Sequence, residues 1–263
     1  MYLNDKLPIH KLAKRYGVSE STIKRTLRTI EITWRPSSIP STPLYLHIDV
    51  TYEGRDWGVI AAISHEGKYV YYRAYISGHE KVIDYVTAIE DIVSRNGKIA
   101  GIVLDGFKGV FKHYDGVYPL QMCHFHFKQI IRRTLTQRPK LKASKELKKI
   151  IDNISETTED AFTMDFSTWE KRWLSFVNER SKGKNDKRSH YKHKRLYSAY
   201  KSTKYFLPYL FTYQHIDGLP NTNNKIEGMF TTLKDHLEAH NGLHKENRPR
   251  VMDGFFLAWV LPQ

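Results

Sequence analysis

Apolar residues recur along the chain with two different periods, and the changes of period divide it. In residues 7–31, Leu12, Ala13 and Tyr16 are spaced for one short helix. Gly17 breaks that pattern, Val18 is apolar and expected to be buried, and Ser19 is a suitable cap for a second helix. That helix runs from Glu20 to about Ile30, with Ile23, Leu27 and Ile30 on one face. Residues 34–43 (WRPSSIPSTP) hold three prolines and four Ser/Thr and cannot continue a helix, so they read as a linker. Beyond them the period drops to that of strands: 45–50, interrupted by His47 and Asp49, then 57–64 and 68–76, joined through the tight-turn signal His65-Glu66-Gly67. A helix follows over 80–95, with Val82, Ile83, Val86, Ile89 and Val93 at helical spacing, and Asn96-Gly97 ends it. A fourth strand, 99–104, runs into Asp105-Gly106; a short helix and a strand near 118–123 come next.

The order is therefore three strands, helix, strand, helix, strand. Three antiparallel strands followed by alternating helix and strand describe the RNase H-like fold, in which the first and fourth strands are neighbours. Asp49 and Asp105 are then expected to face each other. Residues 125–210 read as helical and basic: 140–151 (KLKASKELKKII) is amphipathic with Leu141, Leu147, Ile150 and Ile151 inward, 168–179 carries Trp169, Trp173, Phe176 and Val177, and 181–194 is a polar basic connector. A last helix starts just after Pro220 and includes Glu227. The expected class is α/β: an RNase H-like catalytic core with a mixed five-stranded sheet (44–126 and 220–263), interrupted by an all-α insertion (127–219) and preceded by a small helix-turn-helix (1–33) and a linker (34–43). The second helix of the helix-turn-helix offers Lys24, Arg25 and Arg28 to phosphates or to base edges in the major groove; a plain helical hairpin with solvated charges is the alternative.

Composition adds a partner to this picture. With 263 residues, 40% hydrophobic and 27% charged, the chain is of a globular kind. Its 42 Lys+Arg against 28 Asp+Glu leave a formal charge of +14, and its pI is about 9.6. An excess of that size favours a polyanion, here nucleic acid, by attraction to phosphates and release of their counterions. The apolar runs are too short to span a bilayer, and Asn4, Asp5 and Lys6 stand where a signal peptide needs an apolar core, so neither membrane nor export is expected. Cys123 is the one cysteine, which excludes an intrachain disulfide and suits a cytoplasmic location.

Transferring a phosphodiester requires an activated water or 3′-hydroxyl and a spread of charge on phosphorus. Two metal ions roughly 3.5–4 Å apart do both, and Mg²⁺ or Mn²⁺ takes oxygen ligands, which carboxylates supply. Taken singly, Asp49, Asp105 and Glu227 are each ordinary: a strand-end acid, an Asp-Gly turn and a helix-surface glutamate. Their joint position is not. The segments HIDVTY around Asp49, IVLDGFKG around Asp105, LQMCHFHFKQII around Cys123 and NTNNKIEGMFTTLKDHLEAHNGL around Glu227 resemble the bacterial insertion-sequence transposases of the Mutator-like DDE group. In that group a first and a second Asp are followed by Cys-x-x-His or Asp-x-x-His, a helical insertion and a final Glu. Cys123-x-x-His126, the gap of 122 positions between Asp105 and Glu227, Asn223-Asn224, Gly228, Leu233-Lys234 and His240-x-Gly242-Leu243 all fit.

The resemblance covers residues 44–250. It implies a DDE transposase that cleaves at element ends and transfers strands into target DNA, with Asp49, Asp105 and Glu227 holding two Mg²⁺ or Mn²⁺ ions and Cys123 and His126 shaping the site. It also implies double-stranded DNA as partner and a homodimer or larger assembly on it. Relatives often carry a zinc-binding segment ahead of the helix-turn-helix; no cysteine stands there in this chain, which suggests a shortened form. Lys234 is a candidate phosphate contact and Glu238 a rival third acid. A transposase-derived DNA-binding regulator and an RNase H-type nuclease are the competing functions.

Overall fold

The computed structural model describes residues 7–29, 32–182, 189–239 and 247–260. Ile30, His240, Gly242 and Leu243 lie outside the described residues, as do the side chains of Leu27 and Arg28. In chain order the elements are α1 (Ile9–Tyr16), α2 (Glu20–Thr29), β1 (Leu44–Glu53), β2 (Trp57–Ser64), β3 (Val70–Ser77), α3 (Val82–Ser94), β4 (Ile99–Leu104), α4 (Lys108–Tyr114), β5 (Leu120–Met122) and α5 (His124–Leu135). They continue with α6 (Lys142–Asp152), a short 3₁₀ turn (Ile154–Glu156), α7 (Glu159–Val177), β6 (Arg180–Lys182), β7 (Ser189–Tyr191), α8 (Lys194–Leu210), α9 (Thr212–His215), α10 (Asn224–Ala239) and α11 (Arg248–Val260).

This is an α/β protein with a five-stranded mixed sheet in the order β3-β2-β1-β4-β5. The pairs β1–β2 and β2–β3 are antiparallel and β4–β5 is parallel. The three antiparallel strands and the placing of β1 beside β4 are those expected from the sequence, and the sheet is compatible with an RNase H-like core. The chain forms two compact units, Met1–Ala100 with Asn224–Gln263, and Gly101–Asn223.

In the first unit, α1 and α2 pack together around Leu12 and Ala13. Gly17 takes the left-handed conformation (φ 63°) that lets the Val18 amide reach the Ala13 carbonyl at 3.0 Å. Ser19 Oγ accepts from the Thr22 amide at 3.1 Å, the cap anticipated for α2. Val18 departs from expectation and is exposed. β2 is buried at nearly every position because it is covered on both faces. Val59, Ala61 and Ile63 join the core built by Ile226, Met229, Phe230 and Leu233 of α10 with Val251, Met252, Phe255 and Phe256 of α11, while α3 packs against the same strand and β3. The turn after β2 closes with the Gly67 amide donating to the Ser64 carbonyl at 2.9 Å, Gly67 lying at φ +78°. α3 buries Tyr85, Val86, Ala88, Ile89 and Ile92. Ile83 and Val93, expected inward, are exposed: Ile83 falls on the side away from Tyr85, and Val93 sits in the last turn.

The second unit sets β4 and β5 among α4 to α9 around an aromatic core that includes Phe111, Phe127, Phe162, Phe166, Phe206 and Phe211. α7 begins at Glu159, nine residues before the expected start, because the Thr158 hydroxyl accepts from the Ala161 amide at 3.3 Å and Glu159 and Asp160 occupy the positive end of the helix. α6 buries Ala143, Ser144, Leu147 and Ile151, but Leu141 is exposed ahead of its first turn. The expected connector 181–194 instead contributes β6 and β7, an antiparallel pair.

Candidate active site

Within the first unit, Asp49 is the sixth residue of β1, paired in register with Ala61 of β2. The strand runs on to Glu53, so Asp49 stands inside it and not at its end. The side chain is buried, and its Oδ1 accepts from the Val50 amide at 2.7 Å. Glu227 lies in the first turn of α10, a helix that packs against β1, with Ile226 and Met229 beside it turned into the core. A carboxylate there is favoured by the helix dipole. Lys234 is two turns further along the same helix face as Glu227 and is exposed. Glu238 is exposed a turn beyond that, roughly 16 Å along the axis from Glu227 at 1.5 Å per residue.

Within the second unit, Asp105 directly follows β4 and is half-buried. Its Oδ1 accepts from the Phe107 amide at 3.3 Å. Burial pushes this carboxyl up from the ordinary carboxylate range, with the amides of Phe107 and of Asp105 itself pulling the other way. Gly106 beside it lies at φ +110°, and a Cβ there would meet Met122 Cε at 2.8 Å and Ile130 Cδ1 at 3.0 Å. The turn that carries Asp105 therefore tolerates glycine alone. Cys123 precedes the first turn of α5 and is fully buried; its amide donates to the Leu104 carbonyl at 2.9 Å, and its Sγ accepts from the Asn223 amide at 3.2 Å. Cys123 thus ties the start of α5 to the end of β4, one residue before Asp105. His126, half-buried, sits in the first turn of α5, edge-on to Phe125.

Two buried polar residues of this unit escaped the sequence pattern. Gln121 donates to the carbonyls of Met122 (2.7 Å) and Leu210 (2.9 Å) and accepts from the Tyr213 amide (2.9 Å). His124 Nε2 bonds the Leu210 carbonyl at 2.6 Å. Together they fix β5 and α5 against the end of α8. Of the two tryptophans, Trp169 is buried and donates to the Ala143 carbonyl at 2.9 Å, while Trp173 donates to Glu146 at 2.7 Å. Both rings are held by the packing of α6 on α7.

Asp49, Asp105 and Glu227 offer carboxylate oxygens, the ligand Mg²⁺ and Mn²⁺ take. Among the described residues no Lys or Arg pairs with Asp105, so its desolvation is opposed only by the amides of Phe107 and of Asp105 itself. On α2, Arg25 is exposed and Lys24 is held loosely by Glu20 at 3.8 Å. No helix among the described residues is long and apolar enough to cross a membrane.

No protein-family model matches the chain, and no curated protein matches it in sequence. Among solved structures, a chain of the simian T-cell lymphotropic virus intasome in complex with PP2A regulatory subunit B56 gamma is similar at 11% identity and a TM-score of 0.25, over 66% of this chain and 66% of that one. A likeness so slight bears on neither site nor chemistry.

Proposed function

We propose that this chain is a DNA transposase of the DDE type, cleaving at element ends and joining them to target DNA. The observation that carries the reading is where the three acids fall on a sheet of order β3-β2-β1-β4-β5: Asp49 inside β1, Asp105 at the exit of β4, and Glu227 in the first turn of the helix packed on β1. Each stands in a segment that resembles the Mutator-like group, with Cys123-x-x-His126 between the second and third.

Asp49, Asp105 and Glu227 would hold two Mg²⁺ or Mn²⁺ ions, which when bound supply activation of the attacking hydroxyl and neutralisation of charge at phosphorus. Asp105 is set by the Gly106 turn and the Phe107 amide, and Cys123 anchors the neighbouring start of α5. Lys234, exposed on the Glu227 face of α10, meets a phosphate of the bound strand. α1 and α2 form the helix-turn-helix, with Lys24 and Arg25 facing DNA and the all-α segment 127–219 inserted before the last catalytic helix. Joining two ends in one complex requires at least two copies of the chain.

The test is cleavage of duplex DNA taken from both flanks of the gene, with Mg²⁺ or Mn²⁺, comparing the native chain with Asp105→Ala. We expect metal-dependent cuts at defined ends, absent in the variant, while the variant still binds the DNA. Cutting by a pure Asp105→Ala preparation would remove Asp105 from the site. Binding without cutting by either protein would point to a regulator, and cutting confined to RNA–DNA hybrids to an RNase H-type nuclease.

A further inference from the structure

Charge is not spread evenly along the chain. Residues 101–223 hold 23 Lys+Arg against 12 Asp+Glu, so +11 of the formal +14 belongs to the second unit. None of the DNA contacts assigned above lies in that unit. Within it, the end of α5 and the start of α6 meet the segment that links β7 to α8 along an open groove of about 500 Å³. Arg138 and Lys140 line one side, and Lys192, His193, Lys194 and Arg195 the other; no carboxylate lines it. Lys192 and His193 share Glu179, at 3.1 and 3.3 Å. Arg138, Lys140, Lys194 and Arg195 are exposed and have no carboxylate partner among the described residues. Two stretches more than fifty positions apart in sequence thus deliver four uncompensated cations to one groove.

The same segment is braced. Tyr191 stacks on Tyr197 with ring centroids 3.6 Å apart, and Arg180 lies 4.4 Å over the Tyr191 ring. His193 stacks on Phe176 at 3.9 Å. These rings are engaged by protein groups, so the groove offers charge and not a free surface on which a base could stack. Each cation is solvated and singly holds an anion weakly, which disfavours a small phosphate ligand. A polymer of phosphates differs, because each neutralised phosphate releases condensed counterions and the gains add along the backbone.

We infer that this groove binds the phosphodiester backbone of double-stranded DNA without reading its sequence, through residues other than the three acids and those of α2. The inference does not require the catalytic reading. It is tested by fluorescence anisotropy of the full chain on a random-sequence duplex in EDTA, where no metal-dependent chemistry enters, across a range of salt. The variant replaces Arg138, Lys140, Lys194 and Arg195 by Gln. A control with the same loss of charge replaces exposed Lys112, Arg133, Lys171 and Lys201. We expect the groove variant to bind at least about tenfold more weakly, with a salt slope shallower by up to about 3.6, close to 0.9 for each of the four lost phosphate contacts. The control should change much less. A second groove variant, Lys140→Glu with Arg195→Glu, makes the same change of net charge at two sites and should also weaken binding, with thermal unfolding showing it folded like the native chain. Equal losses in groove and control variants would overturn the site in favour of bulk charge. So would anionic vesicles whose binding needs the four cations while duplex binding does not.

Discussion

Arg73 shows how one side chain can organise a region that no sequence pattern announces. Only 9% of it is exposed, yet it carries a charge into the packing between β3 and α11. Its guanidinium lies 5.0 Å from the ring centres of Trp34 and Tyr75 and 5.6 Å from that of Phe256, and it meets Asp253 at 2.5 Å. The Tyr75 hydroxyl donates to the same carboxylate at 2.5 Å, and burial and Asp253 together push its pKa well up. A planar guanidinium can stack and bond at its edge at once; an ammonium cannot. Replacing Arg73 by Met keeps the stem but strands Asp253 beside a tyrosine. We expect a loss of about 3 kcal/mol in urea denaturation, the cost of breaking a buried pair from one side, with Arg73→Lys between variant and native. A loss below about 1 kcal/mol would mean that Asp253 is hydrated enough to do without its partner.

At the scale of elements, the tie between α5 and the end of α8 rests on a histidine kept neutral. Burial lowers the His124 pKa to about 4 from an ordinary 6.5, with Lys128 adding and the Leu210 carbonyl opposing. The folded pKa is below the unfolded one, so the unfolded chain binds the proton first. The contribution is complete above pH 6.5 and is lost as pH falls toward 4. His124 should therefore cost the fold up to about 3 kcal/mol across that window. His124→Gln, which can still donate to the Leu210 carbonyl, should show a flatter decline in chemical denaturation; identical slopes would count against the tie. Such a residue is illegible beforehand, since a histidine after an apolar strand reads as the strand's polar end. Gln121 is hidden in the same way. By contrast, β2 and β4 are legible to the residue, because each is a continuous apolar run closed by turn signals. α7 is misread because its cap, Thr158, precedes a stretch whose acids mask the helical period. β6 and β7 have no apolar alternation, and they form through backbone pairing and the stacking of Tyr191. α11 has a readable stripe in Val251, Met252, Phe255, Phe256 and Trp259, yet no helix is expected there from the sequence analysis above. For the site, the pattern reaches the element on which each acid stands; the Gly106 turn and the Cys123–Asn223 bond that hold the second acid's surroundings are products of the fold.

At the scale of the whole molecule, the basic excess and the three acids make opposite demands. Most cations sit in residues 101–223, which favours a polyanion, while Asp105 in the same unit is desolvated without a basic partner among the described residues. Metal-free protein should therefore bear a cost at Asp105 that Asp105→Asn relieves, since the amide keeps an acceptor for Phe107 and drops the charge. We expect Asp105→Asn in EDTA to unfold at or above the temperature of the native chain. Adding Mg²⁺ should reverse the ranking. A ligand bound to the native state at a hundred times its Kd stabilises by about 2.7 kcal/mol, and for a chain of this size each kcal/mol moves Tm by roughly 2–4 °C. The native chain should accordingly gain about 5–10 °C in saturating Mg²⁺ and the variant far less. Equal shifts in both would place any bound cation elsewhere, and no shift in either would remove the metal from the proposal. Because the readout is unfolding, this test weighs the acids without any DNA substrate, and its outcome does not depend on whether the proposed cleavage occurs.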